Sequence, residues 1–214
     1  MASAEPAKLL VSTRNDHKLR EIHAIMVNMD LNLISLAEFP DSPEVIEDLS
    51  TLEGNAAKKA KVLHAFASLP TMADDTGLEV LALDGAPGVH SARYAGEDAD
   101  DSSNRALLLK NMEHLEHPGD RRAQFRTVIA LTLDSGTYLF EGACKGRITL
   151  EERGEGGFGY DSIFEPQGLD KTFAELSSEE KNQISHRGRA LERFAAYMSV
   201  LLDERTAHKE STTT

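Results

Sequence analysis

Residues 122–150 have the sequence RAQFRTVIALTLDSGTYLFEGACKGRITL, in which two runs rich in β-branched and aromatic residues flank the turn sequence DSG. Runs of this kind on either side of a short, glycine-containing turn are typical of a β-hairpin. The stretch therefore predicts a long antiparallel hairpin formed by residues 122–133 and 137–150.

Upstream of this hairpin, strand-like and helix-like patterns alternate. Residues 8–12 (KLLVS) and 31–36 (LNLISL) are predicted strands, and between them Leu19, Ile22 and Met26 recur at the spacing of one helical face. Alternation early in the chain, followed by a late hairpin, predicts an α/β fold with a long mixed β-sheet and helices packed on it.

The remaining predicted elements agree with this outline. Residues 50–53 (STLE) have a capping-box pattern that opens a helix running to about residue 69. Residues 71–75 (TMADD) form a predicted short strand, residues 102–115 a helix, and the last long helix begins near Ser185. Each predicted helix can pack its apolar face on the sheet.

Composition limits the class of partner. The chain has 214 residues, which is enough for one generous domain or two small lobes with a real core. Lys and Arg number 23 against 36 Asp and Glu, giving a formal charge of −13. Such a protein is a poor partner for a nucleic-acid polymer, because it cannot neutralise many phosphates. A small anionic ligand stays compatible, since a local basic pocket can outweigh the overall field.

The sequence predicts a cytoplasmic location and no membrane partner. It contains no window near 18 consecutive apolar residues and no secretory signal pattern. Cys144 is the one cysteine, which fits a reducing compartment, and its alternating context favours a packed strand residue over a nucleophile. We predict disordered ends at residues 1–7 and 204–214, around a single two-lobed domain at residues 8–203.

Residues 154–164 (GEGGFGYDSIF) match the spacing G-x-G-x-x-G of dinucleotide-binding loops. That fingerprint requires a helix directly after the glycines, and no helical period follows here. Two readings remain, a flexible surface loop and a nucleoside pocket. The pocket is the sharper hypothesis, because glycines allow close backbone approach and Phe158 and Tyr160 offer faces for a base.

Asp74, Asp75 and Thr76 form a second candidate site. If the strand continues through them, the two carboxylates point to opposite faces; if it breaks, both can reach a cleft. Carboxylates of this kind bind Mg²⁺ or orient an attacking water. The alternative is a pair of turn residues, since Asp is common in turns.

Two polar stretches complete the set of candidates. Residues 13–18 (TRNDHK) follow the first strand and open the first helix, where free N–H groups favour an anion; the alternative is a polar loop with an Asn or Asp cap. In residues 181–188 (KNQISHRG), Ser185 can cap the last helix with His186 and Arg187 in its first turn. Cations there oppose the helix dipole, which favours docking of a negative group; the alternative is a solvated run of charges.

Five segments in this order resemble the Ham1 family, also called the inosine triphosphate pyrophosphatase or RdgB-like family. They are T-R-N-x-x-K with Glu21 after it, A-D-D-T-G-L, G-A-P-G-V-x-S-A-R-Y-x-G, G-G-F-G-Y-D-S-I-F and E-E-K-N-x-I-S-H-R-G-x-A. They run from Thr13 to Ala190, nearly the whole chain.

The resemblance implies a long mixed sheet with two lobes around a central active-site cleft. It implies hydrolysis of non-standard purine nucleoside triphosphates (ITP, dITP and XTP) to the monophosphate and pyrophosphate, with Mg²⁺ as cofactor, in a homodimer. Two alternatives stay open: a nucleotide-sensing module without hydrolysis, and a Maf-like pyrophosphatase for modified pyrimidine nucleotides.

The resemblance also implies roles for individual residues. Asp75 is the expected general base and a metal ligand, and Glu47 is the second expected metal ligand. Our own hypothesis, from hydrogen-bond chemistry, is that His186, Arg187 and N–H groups of the glycine loop (residues 154–160) donate to the purine O6, because such donors would face the amino group of ATP. The expected substrate-binding residues are Thr13, Arg14, Asn15, Asp16, His17, Lys18, Thr76, Phe158, Gly159, Tyr160, Asp161, Lys181, His186 and Arg187.

This chain departs from the family pattern at two places. The family often has Glu-Asn-Ala where this sequence reads Gly54-Asn55-Ala56, so one acid is absent. The family's Tyr-Asp-Pro is Tyr-Asp-Ser here, with Ser162 in the third position, which makes the local turn less rigid.

Overall fold

The computed structural model describes residues 7–212 of the chain. Within that range it contains one mixed sheet of seven strands and five α-helices. The strands are β1 (Ala7–Val11), β2 (Leu31–Ser35), β3 (Thr71–Val80), β4 (Pro87–Gly88), β5 (Arg122–Leu133), β6 (Gly136–Ile148) and β7 (Phe164–Pro166). The helices are α1 (Asp16–Met26), α2 (Leu52–Ala67), α3 (Asp101–Asn111), α4 (Ser178–Ile184) and α5 (His186–Thr212).

The sheet is mixed, as predicted. Its strand order is β2-β1-β3-β5-β6-β7, with β4 paired to β3 outside this path. β1 runs parallel to β2 and β3, whereas the pairs β3–β5, β5–β6 and β6–β7 are antiparallel. The parallel part comes from the alternating early elements and the antiparallel part from the late hairpin, so the predicted α/β fold is confirmed.

The predicted hairpin is the central pair of the antiparallel part. β5 and β6 pair continuously from Leu133 opposite Gly136 to Arg122 opposite Arg147. The turn lies where the sequence DSG predicts it. A long, continuous ladder of this kind gives the sheet a rigid centre on which the shorter strands and the helices pack.

β3 is longer than the predicted short strand. It continues past Asp75 to Val80, because Asp75 and Thr76 pair with Val128 and Thr127 of β5. Asp74 and Asp75 therefore lie on opposite faces of one uninterrupted strand. The prediction of a strand ending at residue 75 was wrong, because the partner strand β5 extends the ladder through polar residues.

The cap of α2 is one residue later than predicted. Thr51 caps the helix, and its Oγ1 accepts a hydrogen bond from Gly54 N at 3.1 Å. Position 54 is then the third helical residue and has no acid to complete the predicted capping box. Glu53 instead binds Arg126 of β5 at 2.8 Å.

The buried apolar side chains of the described residues form four clusters, and the prediction of two lobes stays a prediction. One cluster includes Leu78, Phe125, Phe164 and Cys144, and another includes Leu9, Ile22, Ile129, Leu191 and Phe194. Burial raises the pKa of the Cys144 thiol. A buried, protonated thiol on β6 fits the interpretation of a packed strand residue.

The C-terminal third differs from the sequence-based outline at its helices. The short helix α4, capped by Ser177, was not predicted. α5 begins at His186, next to the predicted start, and continues to Thr212. The predicted disordered tail, residues 204–214, thus begins inside α5, and its last two residues lie outside the described range. So do residues 1–6 of the predicted disordered N-terminus, whereas its last residue, Ala7, was wrongly included because it begins β1.

The glycine loop is followed by a 3₁₀ turn at Asp161–Ile163 and then by β7. This agrees with the argument against a dinucleotide fingerprint, which needs an α-helix there. Across residues 7–212, we also find no helix that is both long and apolar enough to cross a membrane.

Candidate active site

A cavity of ≈ 400 Å³ brings the predicted segments together. Its walls come from the β1–α1 connection, the loop before α2, β3, the glycine loop, and the start of α5. The predicted residues that line it are Thr13, Arg14, Asn15, Lys18, Glu47, Asp75, Thr76, Phe158, Gly159, Tyr160, Asp161, Lys181, His186 and Arg187. Asp16 and His17 were also predicted but do not belong to this lining.

Asp74 is buried and fully engaged with cations. Its Oδ2 lies 3.0 Å from Lys18 Nζ and 3.4 Å from Arg187 Nη2. Burial opposes ionisation of Asp74, but the charges of Lys18, Arg187 and Lys59 outweigh it and hold the carboxyl pKa well below its usual range. Asp74 is therefore a permanent anion that holds Lys18 and Arg187 at the cavity wall.

Asp75, on the opposite face of β3, is only half engaged. Its Oδ1 accepts a hydrogen bond from Thr76 N at 2.9 Å. Its Oδ2 is buried without a hydrogen-bond partner among the described residues, and we call it the open oxygen. Burial and the nearby charge of Glu47 raise the carboxyl pKa to about 6, against the opposing charge of Lys59. A buried acceptor with spare capacity requires a cation or a water.

Glu47 and Lys59 flank Asp75. Glu47 Oε1 lies 2.6 Å from Lys59 Nζ, which also donates to the Asp74 carbonyl oxygen at 2.7 Å. Arg93 Nη2 donates to the Glu47 carbonyl oxygen at 2.8 Å, which fixes the backbone of the loop before α2. Lys59 lines the cavity and was missed by the sequence analysis. Nothing in the sequence separates it from Lys58 and Lys61 on the same helix.

The carboxylates of Asp75 and Glu47 in the cavity wall suit a divalent cation that also binds a phosphate of the ligand. Among residues 7–204, whose side chains the structure describes, no group of three or more His, Cys, Asp or Glu is arranged to hold a metal ion. The carboxylates of Asp75 and Glu47 supply two candidate ligands. Mg²⁺ commonly binds through one or two carboxylates plus substrate phosphates and waters, so this donor set fits Mg²⁺ bound together with a phosphate.

Gly54, which stands where the family often has an acid, is closely packed. A Cβ at Gly54 would lie 3.0 Å from both Leu49 Cδ1 and Thr51 Oγ1. Asn55, the next residue, bonds Leu49 through both its amide groups, at 3.0 and 3.2 Å. In this chain the position packs against Leu49 of the loop that carries Glu47, and a larger residue would require the Leu49 and Thr51 side chains to shift slightly.

Residues 13–18, the predicted phosphate-binding segment, contain a helix cap at Asn15, as the alternative interpretation of a capped polar loop predicted. Asn15 Oδ1 accepts hydrogen bonds from His17 N at 2.9 Å and Lys18 N at 3.1 Å. Arg14 Nη2 donates to Ser42 Oγ at 3.1 Å. Asp16 is exposed, and the His17 ring lies 5.1 Å from the Phe158 ring. The cavity-lining part of this segment is therefore Thr13, Arg14, Asn15 and Lys18.

The cations around the start of α5 are neutralised within the chain. Arg187 Nη1 pairs with Glu21 Oε2, and Arg187 Nη2 lies against Asp74. Lys181 Nζ lies 2.9 Å from Glu21 Oε1 and 2.7 Å from Asp161 Oδ2. The negative group that we expected at this helix start is thus supplied first by Glu21 and Asp74. Ser185 Oγ accepts from Gly188 N at 3.0 Å, which confirms its predicted capping role.

Two buried polar atoms in the same region stay unused. His186 Nδ1 and Arg187 Nε have no hydrogen-bond partner in the part of the chain that the structure describes. Burial and the charges of Arg187 and Lys181 hold the His186 pKa well below its usual range, so its ring is neutral. That ring stacks on Phe125 with centroids 4.5 Å apart. Both residues also line the cavity, and these two atoms are buried polar groups that lack a partner among the described residues.

The glycine loop presents an aromatic face next to these cations. The Phe158 ring centroid lies 4.9 Å from Lys181 Nζ and 5.6 Å from Arg187 Cζ. Phe158 N donates to Asp161 Oδ2 at 2.8 Å, and Gly159 N donates to Asp101 Oδ2 at 2.7 Å. These two N–H groups already donate to carboxylates of the chain. They are therefore not free to donate to a purine O6, as we had expected of N–H groups in this loop.

A second cavity, of ≈ 920 Å³, is larger but chemically different. Its lining includes Arg122, Lys145, Arg147 and Glu165 near the β5–β6–β7 end of the sheet. Glu165 there is paired with both Arg147 and Arg153. We assign the candidate active site to the smaller cavity, because it holds the open oxygen, three lysines and an aromatic face together.

Comparisons with known proteins identify the family of the chain. A sequence profile of the Ham1 family matches residues 9–197. The chain is 51% identical over 185 residues to a dITP/XTP pyrophosphatase of Geobacter sulfurreducens, covering 86% of this chain and 92% of that protein. It is 48% identical over 191 residues to a dITP/XTP pyrophosphatase of Porphyromonas gingivalis, covering 89% and 97%.

Solved structures give the same result. A HAM1 protein from Coxiella burnetii superposes with a TM-score of 0.83 at 38% identity, covering 90% of this chain and 98% of the other. The Ham1 protein of Staphylococcus aureus superposes with a TM-score of 0.81 at 39% identity, with the same coverage. The family profile, the relatives and the fold together establish that this chain belongs to the Ham1 family.

Proposed function

We propose that this protein hydrolyses non-standard purine nucleoside triphosphates, ITP, dITP and XTP, to the monophosphate and pyrophosphate. The observation that carries the proposal is the content of one cavity. It joins cations able to hold a triphosphate, the open oxygen of Asp75, and the aromatic face of Phe158. The relatives named dITP/XTP pyrophosphatase support the same activity.

The reaction breaks the bond between the α-phosphorus and the oxygen that bridges to the β-phosphate. Water attacks the α-phosphorus, its proton passes to a base, and pyrophosphate leaves. The open oxygen of Asp75 is placed to hold that water and to accept its proton. Lys18 and Lys59, both in the cavity wall, attract the phosphate oxygens and stabilise the growing negative charge.

Asp75 and Glu47 are the residues that would hold Mg²⁺. The ion, when bound, neutralises charge on the departing pyrophosphate and lowers the pKa of an attacking water. Lys59 now pairs with Glu47. A triphosphate offers Lys59 other anionic partners, which would free the Glu47 carboxylate for the ion.

Selectivity for hypoxanthine and xanthine over adenine would come from the O6 position. Arg187 Nε and one tautomer of His186 Nδ1 donate to O6, and the 6-amino group of ATP would set a donor against these donors. A mispaired buried group costs about 1–3 kcal/mol, so two of them correspond to a preference of about a hundredfold. These two residues are the proposed base-selecting pair.

Arg187→Lys tests this pair, because lysine keeps a cation near Glu21 and Asp74 but has no Nε–H at the arginine position. We expect the ratio of kcat/KM for ITP over ATP to fall about tenfold, the loss of one such contact. Steady-state kinetics with both nucleotides measure it. An unchanged ratio would remove Arg187 from base selection. Lys61→Arg, an exchange in the reverse direction on an exposed face of α2, is the control.

The activity itself is tested by incubation with ITP, XTP, dTTP and ATP in Mg²⁺, scored for pyrophosphate. Release from ITP and XTP, with ATP and dTTP poor, is the expected result. Binding of ITP without release would indicate nucleotide sensing, and release from a pyrimidine nucleotide would indicate a Maf-like activity. Hydrolysis in ¹⁸O-labelled water should place the label in the monophosphate, because the α-phosphorus is attacked.

Three further properties belong to the proposal. Turnover requires Mg²⁺, and chelation with EDTA should abolish it reversibly. The protein acts as a homodimer in the cytoplasm, on small nucleotides and not on nucleic-acid polymers. Light scattering of the purified protein measures the oligomeric state, and a monomer at assay concentration that retains full activity would contradict the dimer.

A further inference from the structure

Gly159 is held at both of its peptide groups by one helix. Its N–H donates to Asp101 Oδ2 at 2.7 Å, and its carbonyl oxygen accepts from Arg105 Nη1 at 2.8 Å. Asp101 and Arg105 are four residues apart on α3, so they project from the same face of that helix. Neither residue belongs to the motif segments named above.

Hydrogen bonds hold this glycine, and the space into which a side chain would project is open. Gly159 has φ +60°, and a Cβ built there would meet nothing within 4 Å among the described residues. Gly154 and Gly157 in the same loop also have positive φ. Glycines lose more conformational freedom on ordering than other residues, so a loop rich in them needs fixed contacts to keep one shape.

α3 also binds Glu152, which precedes this loop and in turn binds Ser162, which follows it. Arg105 Nε binds Glu152 Oε2 at 2.8 Å, and Ser162 Oγ donates to the same oxygen at 2.9 Å. The helix is itself fixed, because the Asn104 side chain accepts from Ala95 N at 2.8 Å and donates to the Ala92 carbonyl oxygen at 3.1 Å. These contacts therefore fix the position of the loop relative to α3.

We propose that Asp101 and Arg105 are positioning residues for the nucleoside half of the substrate. They fix the Gly159 peptide, and through it the neighbours Phe158 and Tyr160, in the shape that receives a purine and its sugar. They act on this half alone, because the cations assigned to the phosphates come from α1 and α2. This inference rests on the proposed function, whose substrates carry a purine.

The test compares two ligands that share only part of the substrate. Inosine monophosphate needs the nucleoside half, whereas inorganic triphosphate needs the phosphate half. We expect Asp101→Ala to weaken inosine monophosphate binding about tenfold, the effect of losing one charge-assisted hydrogen bond, and to leave inorganic triphosphate within about twofold. Calorimetry measures the first Kd, and competition against ITP turnover measures the second.

Asp101→Asn provides the rescue, because its amide oxygen can still accept from Gly159 N–H. It should bind inosine monophosphate within about twofold of wild type. Arg105→Ala removes the other half of the contact and should reproduce the selective loss, even if Asp101→Ala fails to fold. Lys110→Ala, an exposed residue in the last turn of the same helix, is the matched control.

Several results would overturn the proposal. They are equal weakening of both ligands, unchanged inosine monophosphate binding in Asp101→Ala and Arg105→Ala, or an asparagine variant as weak as the alanine variant. A wild-type protein that does not bind inosine monophosphate would overturn it too. Failure of the proposed function has a different signature, namely wild-type protein that binds inosine monophosphate but releases no pyrophosphate from ITP or XTP.

Discussion

The two faces of β3 carry adjacent aspartates with opposite environments. On one face, Asp74 meets Lys18 and Arg187, and their charges hold its pKa well below the usual range. On the other face, Asp75 keeps the open oxygen, and burial with Glu47 nearby raises its pKa to about 6. Two adjacent residues thus differ in their partners: Asp74 is paired with cations, whereas one oxygen of Asp75 has no partner among the described residues.

This difference separates stability from chemistry. Asp74 is compensated inside the chain, so its contribution is to organise the cations of the cavity wall. Asp75 is not compensated, so the folded protein carries a cost there that a metal ion or a water can relieve. Strongly shifted groups in a cavity are candidates for function, and here the shift that points to chemistry is the upward one.

Removal of the Asp74 charge should have the largest effect on stability. Asp74→Asn leaves the partly buried Lys18 without its anion, and breaking one partner of a buried pair costs about 3–5 kcal/mol. Urea unfolding at pH 7 measures the free energy. Asp30→Asn, at an exposed position after α1, is the control and should change little. An Asp74 variant as stable as wild type would contradict the structural role.

The pH dependence should isolate Asp75. Its pKa rises from about 3.9 in the unfolded chain to about 6 in the fold, so folding favours its protonated form. The stability from this proton is complete below pH 4 and is lost as the pH rises through 6. At about 1.36 kcal/mol per pKa unit, Asp75→Asn in metal-free buffer should gain about 3 kcal/mol relative to wild type between pH 4 and pH 8.

Urea unfolding of both proteins across that pH range gives this difference directly. Subtracting the unfolding free energy of wild type from that of the variant removes the contribution of the other carboxylates. These include Asp74, whose lowered pKa changes stability in the opposite direction and at lower pH. A difference that stays constant with pH would show that Asp75 has an ordinary pKa. Such a result would remove the contrast between the two faces.

Exposed ion pairs should give the smallest effect. Arg126 binds Glu53, Glu79 and Glu141 at 2.8, 3.0 and 2.9 Å, and Glu53 is 39% exposed. Glu53→Gln should cost less than about 1 kcal/mol, because solvent screens the pair and two partners remain. Thermal unfolding in low and high salt measures it. A loss of unfolding free energy as large as that of Asp74→Asn would show that burial does not determine how much an ion pair contributes to stability.

The sequence was sufficient for the elements that depend on local pattern. The hairpin follows from two β-rich runs around DSG, and the candidate site follows from motifs whose residues meet in one cavity. Some features depend on distant partners instead. β3 extends beyond residue 75 because β5 pairs with it, and Glu21 reaches Lys181 across 160 positions of sequence.

Other residues of the site had no distinguishing sequence signal. Lys59 resembles Lys58 and Lys61, and only the fold places it against Glu47 and β3. Asp101 and Arg105 act on a backbone peptide, which any loop sequence provides, so no complementary motif marks them. Residues of this type can be found only when side-chain contacts are known.

The most direct test of the account is single-turnover pyrophosphate release from saturating ITP with Mg²⁺, comparing wild type with Asp75→Asn. The variant should still bind ITP, because the cations and the Phe158 face are intact. Its release rate should fall about 10²–10⁴-fold, the usual contribution of a positioned base. Release at the wild-type rate would contradict the central claim that the open oxygen of Asp75 performs the chemistry.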